Sequence, residues 1–216
     1  MKNIDLEISN KKIFGVLGPN AAGKTTLLKL LACVTMPTEG NVEIMGMNSK
    51  NNQKKIHQHL GYLSHELLLY RELTGFENLD FYSKFYKSPN IGWHRRIDEL
   101  LNLLMIDKWS HEFIGNMSSG IQKRFDIART LLHNPDLLLL DEPFSNLDLE
   151  SQKMIFKLIH GFRGKKTVVI STHNIDHAKR LCDEMAIFSK GKLVRKIDKD
   201  KLKSIKILKL FGRILE

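Results

Sequence analysis

The stretch Gly18-Pro-Asn-Ala-Ala-Gly23-Lys24-Thr25 constrains this chain more than any other. It fits G-x-x-x-x-G-K-[ST], follows the apolar run Ile13–Leu17, and opens a segment with Leu27, Leu28 and Leu31 at helical spacing. A strand, a glycine-rich turn and a helix in that order place backbone N–H groups and a helix N-terminus around one point. Such a point attracts phosphate. Gly18, Pro19, Asn20, Ala21, Ala22, Gly23, Lys24, Thr25 and Thr26 are therefore the candidate phosphate-binding residues. Lys24 is expected to bridge β- and γ-phosphates, and the Thr25 hydroxyl to ligate Mg²⁺. ATP with Mg²⁺ is the expected ligand pair.

The rest of the chain alternates in a way that suits such a loop. Apolar strands are expected at 41–45, Leu60–Leu63, Asp136–Leu140, Thr167–Ser171, Met185–Ser189 and Lys192–Ile197. Helices are expected at Ser151–Phe162 and Ile175–Cys182. Strands that are apolar throughout are buried on both faces, which means a parallel-rich sheet with helices on either side. Residues 74–132 interrupt the alternation. Phe76, Leu79, Phe81, Tyr82 and Phe85 mark one helix, Ile97, Leu100, Leu101 and Leu104 a second, and Gln122–Leu132 a third after a break at Gly115–Gly120. The expected class is α/β: one domain over 1–216, with a core of 1–73 and 133–216 and an inserted helical lobe at 74–132. A length of 216 residues is enough to bury a core without staples. Cys33 and Cys182 are far apart in sequence and suit buried thiols in a reducing compartment. Met1–Ser9 carries Asp5 and Glu7 and does not read as a signal peptide, and no apolar run approaches the length of a membrane span.

The formal net charge of +10 is uneven: Lys190–Glu216 holds ten Lys/Arg against three acids. The tail from 199 to 216 has Leu202, Ile205, Leu208 and Leu215 near helical spacing. It reads as a solvated basic face, a helix docked on the core, or a segment meeting an anionic membrane surface.

Further motifs complete the site. Leu137–Leu140 runs into Asp141-Glu142, which puts two carboxylates at the end of a buried strand. Asp141 is expected to hold Mg²⁺. Glu142 is expected to orient or deprotonate an attacking water. His173 follows the Thr167–Ser171 strand and would reach the γ-phosphate from the same sheet edge.

With Met117-Ser-Ser-Gly-Ile-Gln122 these motifs resemble the ATP-binding cassette (ABC) family, whose signature is usually written LSGGQ. Ser145-Asn146-Leu147-Asp148 resembles the D-loop, and His173 the switch histidine. Ser118 follows Gly18 by 100 residues, too few for the coiled-coil insertion of the SMC class. A single cassette also argues against the two-cassette translation factors, and so against nucleic acid as a partner. The resemblance implies an ABC ATPase fold with a small antiparallel N-terminal β part, and a head-to-tail homodimer of nucleotide-binding domains. Ser118, Ser119, Gly120, Ile121 and Gln122 would then act in trans on the ATP held by the other copy. It further implies integral membrane transporter subunits as partners, and a peripheral place on the cytoplasmic face of the inner membrane.

Departures from the family pattern carry information. Ala21 stands where glycine is usual, which is tolerable only at negative φ. Ser119 and Ile121 depart from the usual signature. Only 17 residues precede Gly18, and none matches the aromatic residue that stacks on adenine in the family. Either that residue lies outside this sequence or another group covers the base. His65 occupies the Q-loop glutamine position, and Gly61–Asn78 resembles the ATP-binding subunit of cytochrome c maturation haem exporters. Haem export for cytochrome c biogenesis is the expectation drawn from this, with drug or antibiotic export as the alternative and a soluble non-transport ABC ATPase as the third reading. Imidazole is a poor Mg²⁺ ligand, so His65 is expected to act through water or the γ-phosphate.

Overall fold

The computed structural model describes residues 1–86 and 92–198. The basic tail expected at 199–216, and any contact it makes with a membrane surface, lies outside them.

Strand β1 (Ile13–Leu17) is buried at every residue, and its side chains alternate between two cores. Ile13 and Leu17 face one side of the sheet together with Leu138, Leu140, Val168 and Ile170. Phe14 and Val16 face the other with Leu139 and Val169. This period-2 division of an all-apolar strand is what makes a three-layer α/β arrangement obligatory. The remaining strands are β2 (Glu43–Ile44), β3 (Met47–Asn48), β4 (Leu60–Leu63), β5 (Leu137–Asp141), β6 (Thr167–Thr172), β7 (Glu184–Ser189) and β8 (Lys192–Asp198). The main sheet runs β4-β5-β6-β1-β7-β8. All its pairings are parallel except β7–β8, an antiparallel hairpin edge.

The antiparallel N-terminal part is small: β2 pairs with β3 over two residues each. The strand expected over 41–45 shrinks to Glu43–Ile44. Residues 1–12 form no strand, yet Ile4, Leu6 and Ile8 pack against the Phe14 core.

Helix α1 (Lys24–Leu31) covers the Phe14 face with Leu27 and Leu28. Helix α2 (Gln53–His59), unexpected from the sequence, buries only Ile56. Helices α3 (Gly75–Ser83), α4 (Trp93–Leu103) and α5 (Ser119–Leu131) lie in the interrupting segment, and two 3₁₀ turns separate α4 from α5. α3 starts with a capping box in which Thr74 and Glu77 exchange hydrogen bonds. α5 packs against β4, α3 and α4. Its Phe125 is fully buried, which contributes about 1.5–3 kcal/mol. Helices α6 (Leu149–His160) and α7 (Ile175–Leu181) complete the Ile13 face.

Two helices start earlier than their apolar periodicity suggests, because polar residues cap them. The Ser118 side chain accepts from the N–H of Ile121, so α5 begins at Ser119 rather than Gln122. Asp148 accepts from the N–H of Ser151, so α6 begins at Leu149 rather than Ser151. Cys33 and Cys182 are both buried.

Candidate functional site

The parallel register brings four chain segments to one sheet edge. Leu17 lies beside Thr172, Asp141 beside Ser171, and Leu63 beside Leu140. The segments that leave β1, β5, β6 and β4 therefore all emerge at the carboxyl edge of the strands. They carry Gly18–Thr25, Glu142, His173 and His65 respectively. That edge is where open α/β sheets hold ligands.

The phosphate loop is tight for physical reasons. A Cβ on Gly18 would sit 2.4 Å from the Phe188 carbonyl oxygen, so no side chain fits there. Gly23 has φ +101° and precedes α1 without offering a side-chain cap. The first N–H groups of α1 are thus left to an anion. The Ala22 N–H closes the turn on the Pro19 carbonyl at 3.2 Å. Asn20, Ala21 and Thr26 are exposed, and Thr25 is half-buried at the first turn of α1.

Ala21 corrects an expectation. Its φ is +61°, not negative. The loop needs left-handed backbone there to curl its amides toward one point, and an alanine in that region carries about 1–2 kcal/mol of strain. The loop keeps the shape that glycine would give it, at that strain.

Lys24 is buried, and its ammonium donates to the carbonyl oxygens of Gly18 at 2.9 Å and Pro19 at 3.1 Å. It also lies 3.7 Å from the Glu142 carboxylate. Glu142 in turn accepts a 3.1 Å hydrogen bond at Oε1 from the His173 ring. Lys24, Glu142 and His173 therefore form one connected chain across the ends of β1, β5 and β6. His173 is largely exposed, which leaves its other ring nitrogen open to a ligand.

Glu142 holds a left-handed φ of +47°. Its N–H donates to the Ser171 hydroxyl at 3.0 Å, and its carbonyl receives the Ser145 hydroxyl at 2.8 Å. Strain at a residue this firmly tied on both sides is a sign of an aimed side chain. Asp141 is fully buried. One of its oxygens accepts from the Ser171 hydroxyl, and the other, Oδ2, has no partner among the described residues. A buried carboxylate oxygen without a partner calls for a cation or water. With the Thr25 hydroxyl near the same edge, the donor set is all oxygen and suits Mg²⁺.

The signature residues sit in a different neighbourhood. α1 packs against β5 and β6, whereas α5, which carries them, packs against β4, α3 and α4. Ser118 and Ser119 are exposed at the N-terminus of α5, and Gly120 and Ile121 are partly so. The Gln122 amide is spoken for: it donates to the carbonyls of Ile114 at 2.8 Å and Met117 at 3.1 Å, bracing the turn before the helix. In the Ser145–Asp148 stretch, Asn146 is exposed with φ +59°, and Leu147 is buried. Asp148 caps α6. Hydrogen bonds from the Ser151 backbone and hydroxyl hold its carboxyl below the usual range. His65 is exposed just beyond β4.

Three further residues support this edge and carried no motif signal. Ser171 holds both Asp141 and the Glu142 backbone. Arg124 donates from α5 to Ser151 at 2.5 Å, beside the Asp148 cap. Lys123 is buried, with its ammonium directed at the Ser64 carbonyl just beyond β4. Ser171 was legible as the last residue of an expected strand, but nothing in its neighbours marked its role.

Comparison with known proteins agrees with this geometry. The ABC transporter family model matches residues 1–145. Bacitracin transport ATP-binding protein BcrA of Bacillus licheniformis is 36% identical, over 93% of this chain and 65% of its own length. The probable multidrug ABC transporter ATP-binding protein YbhF of Escherichia coli is 32% identical, over 94% of this chain and 35% of its own. The chain thus spans less than two thirds of these curated relatives. Among solved structures, the dimeric post-hydrolysis state of the ATP-binding cassette MJ0796, bound to ADP and Pi, superposes with a TM-score of 0.85. That match is 27% identical and covers 92% of this chain and 90% of the other. Phosphate loop, acidic strand end and sheet order thus converge with the matched sequence: this chain has the ABC ATPase fold and belongs to the ABC transporter family.

Proposed function

We propose that this chain binds ATP at the carboxyl edge of its sheet and hydrolyses it as the ATP-binding subunit of a transporter. The observation that carries this reading is the linked Lys24–Glu142–His173 chain beside a buried Asp141 oxygen that lacks a partner among the described residues. The Gly18 and Pro19 carbonyls hold Lys24 where the loop's amides converge, so its charge would meet the β/γ-phosphates. Thr25 and Asp141 would hold Mg²⁺, which when bound neutralises phosphate charge. Glu142, fixed by Ser171 and Ser145, would orient the attacking water and take its proton. His173 would steady that carboxylate and reach the γ-phosphate with its open face.

Ser118, Ser119, Gly120 and Ile121 are displayed at a helix N-terminus apart from the phosphate loop. A second copy, placed head to tail, would close over the nucleotide with them. Ser145–Asp148 would line the same junction, while Gln122 braces the signature turn. Among the described residues no helix is long and apolar enough to cross a membrane. Membership of the ABC transporter family favours integral membrane subunits as the source of the pathway, with this chain on their cytoplasmic side. BcrA and YbhF favour drug or antibiotic export as the process it powers. Haem export in cytochrome c biogenesis is a second reading, favoured by His65 and the Gly61–Asn78 stretch.

The test is Mg²⁺-dependent phosphate release by the purified chain. Lys24→Ala is expected to abolish ATP binding, and Glu142→Gln to retain binding while stopping turnover. Full turnover by Glu142→Gln would remove the role assigned to that carboxylate.

A further inference from the structure

Lys123 is a buried lysine that the proposed reaction does not use. It sits on α5, directly after the signature residues, with 9% of its surface exposed. Its ammonium has one hydrogen-bond acceptor among the described residues, the Ser64 carbonyl oxygen at 3.5 Å. Ser64 itself is buried and is the first residue after β4, adjacent to His65. An ammonium has three donors, and burying one against a single long hydrogen bond is unfavourable. Methionine or leucine would fill the same space on α5 without that penalty. Burial lowers the Lys123 pKa, and the carboxylates of Asp126, Asp141 and Glu142 offset this only in part.

We propose that Lys123 is a positioning residue that ties the signature helix to the Ser64–His65 segment, so that a nucleotide-driven movement of one is passed to the other. The tie is direct, because Lys123 belongs to α5 and its acceptor lies one residue from His65. It is also soft. One 3.5 Å bond can lengthen or shorten without breaking the fold, as an element that moves during a cycle must. Arg124, the next residue, reaches in another direction to Ser151 at the start of α6. The turn of α5 after the signature thus touches both the His65 segment and the D-loop helix.

The proposal rests on ATP binding at the phosphate loop. Lys123→Met in the full chain removes the charge and keeps the shape, and Lys123→Arg restores a charge. Thermal unfolding, steady-state ATPase, and hydrogen exchange of a peptide spanning Leu60–Tyr70 with and without ATP are measured. Lys123→Met is expected to unfold no lower than wild type, with KM within about twofold and kcat reduced about tenfold or more. The ATP-dependent change in exchange of that peptide should be lost, and Lys123→Arg should restore part of it. A folded Lys123→Met with wild-type kcat, or with wild-type ATP-dependent exchange, overturns the proposal. If the methionine variant does not fold, Lys123→Gln is judged by the same criteria. Absence of ATPase in the wild type would count against the reaction rather than against Lys123, and the exchange measurement with bound ATP then decides alone.

Discussion

Glu184→Gln is expected to destabilise the fold by about 1–2 kcal/mol at pH 7, with the difference fading as the pH falls toward 2. Glu184 opens β7 with its side chain 5% exposed. It gathers Lys12 at 2.5 Å from the approach to β1, Lys196 at 3.2 Å from β8, and the Ser9 hydroxyl at 2.8 Å. Burial alone would raise its pKa, but the hydrogen bonds from Lys12, Ser9 and Lys196 outweigh burial and lower it from 4.5 to about 2. Each tenfold change in proton affinity is worth about 1.4 kcal/mol, which sets a ceiling of about 3 kcal/mol on this gain. Lys12 is 48% exposed, and solvent screening brings the ceiling down to about 1–2 kcal/mol. The folded pKa lies below the unfolded one. The stabilisation is therefore complete above about pH 4.5 and disappears as the pH falls through about 2. Urea denaturation of both proteins from pH 7 down to pH 3 measures it. Equal stability at pH 7, or curves that stay parallel down to pH 3, would show that Glu184 does not stabilise the fold through these ion pairs.

His133 is buried and stacked on Tyr86 with ring centroids 3.8 Å apart. Burial, opposed by the Leu60 carbonyl, holds its pKa at about 4. Its neutral form therefore stabilises the fold above pH 6.5, and that contribution declines as the pH falls from 6.5 toward 4. Wild type should lose stability between pH 7.5 and 5 in denaturant titrations, and His133→Phe should lose less. Ala21→Gly should relieve the left-handed strain of about 1–2 kcal/mol while giving back about 0.4–1 kcal/mol of unfolded-state entropy. The net expectation is a gain of about 0–1.6 kcal/mol, read from urea denaturation, with ATP binding retained.

Strands β1, β5 and β6 were legible because both faces of each are buried, so their residues are apolar without a break. Helix α2 was not, since Gln53–His59 has Ile56 as its sole apolar residue and packs through it alone. The starts of α5 and α6 were misplaced because apolar spacing reports the buried face of a helix, whereas Ser118 and Asp148 fix its first turn by hydrogen bonding. At the candidate site, spacing alone picked out Lys24, Asp141, Glu142 and His173, which the structure brings to one sheet edge. It said nothing of Ser171 or Lys123, because a serine ending a strand and a lysine in a charged helix look like surface chemistry until burial is known. The positive φ of Ala21 was misjudged because loop shape overrode the preference of the side chain.

Light scattering of Glu142→Gln with MgATP reports whether two copies close head to tail on ATP, the signature of each completing the site of the other. A dimer is expected that forms with ATP, is absent without nucleotide, and is lost when Ser118→Arg is added to block the signature face. A Glu142→Gln protein that binds ATP yet stays monomeric at concentrations well above its ATP dissociation constant, or a dimer indifferent to Ser118→Arg, would contradict that closure.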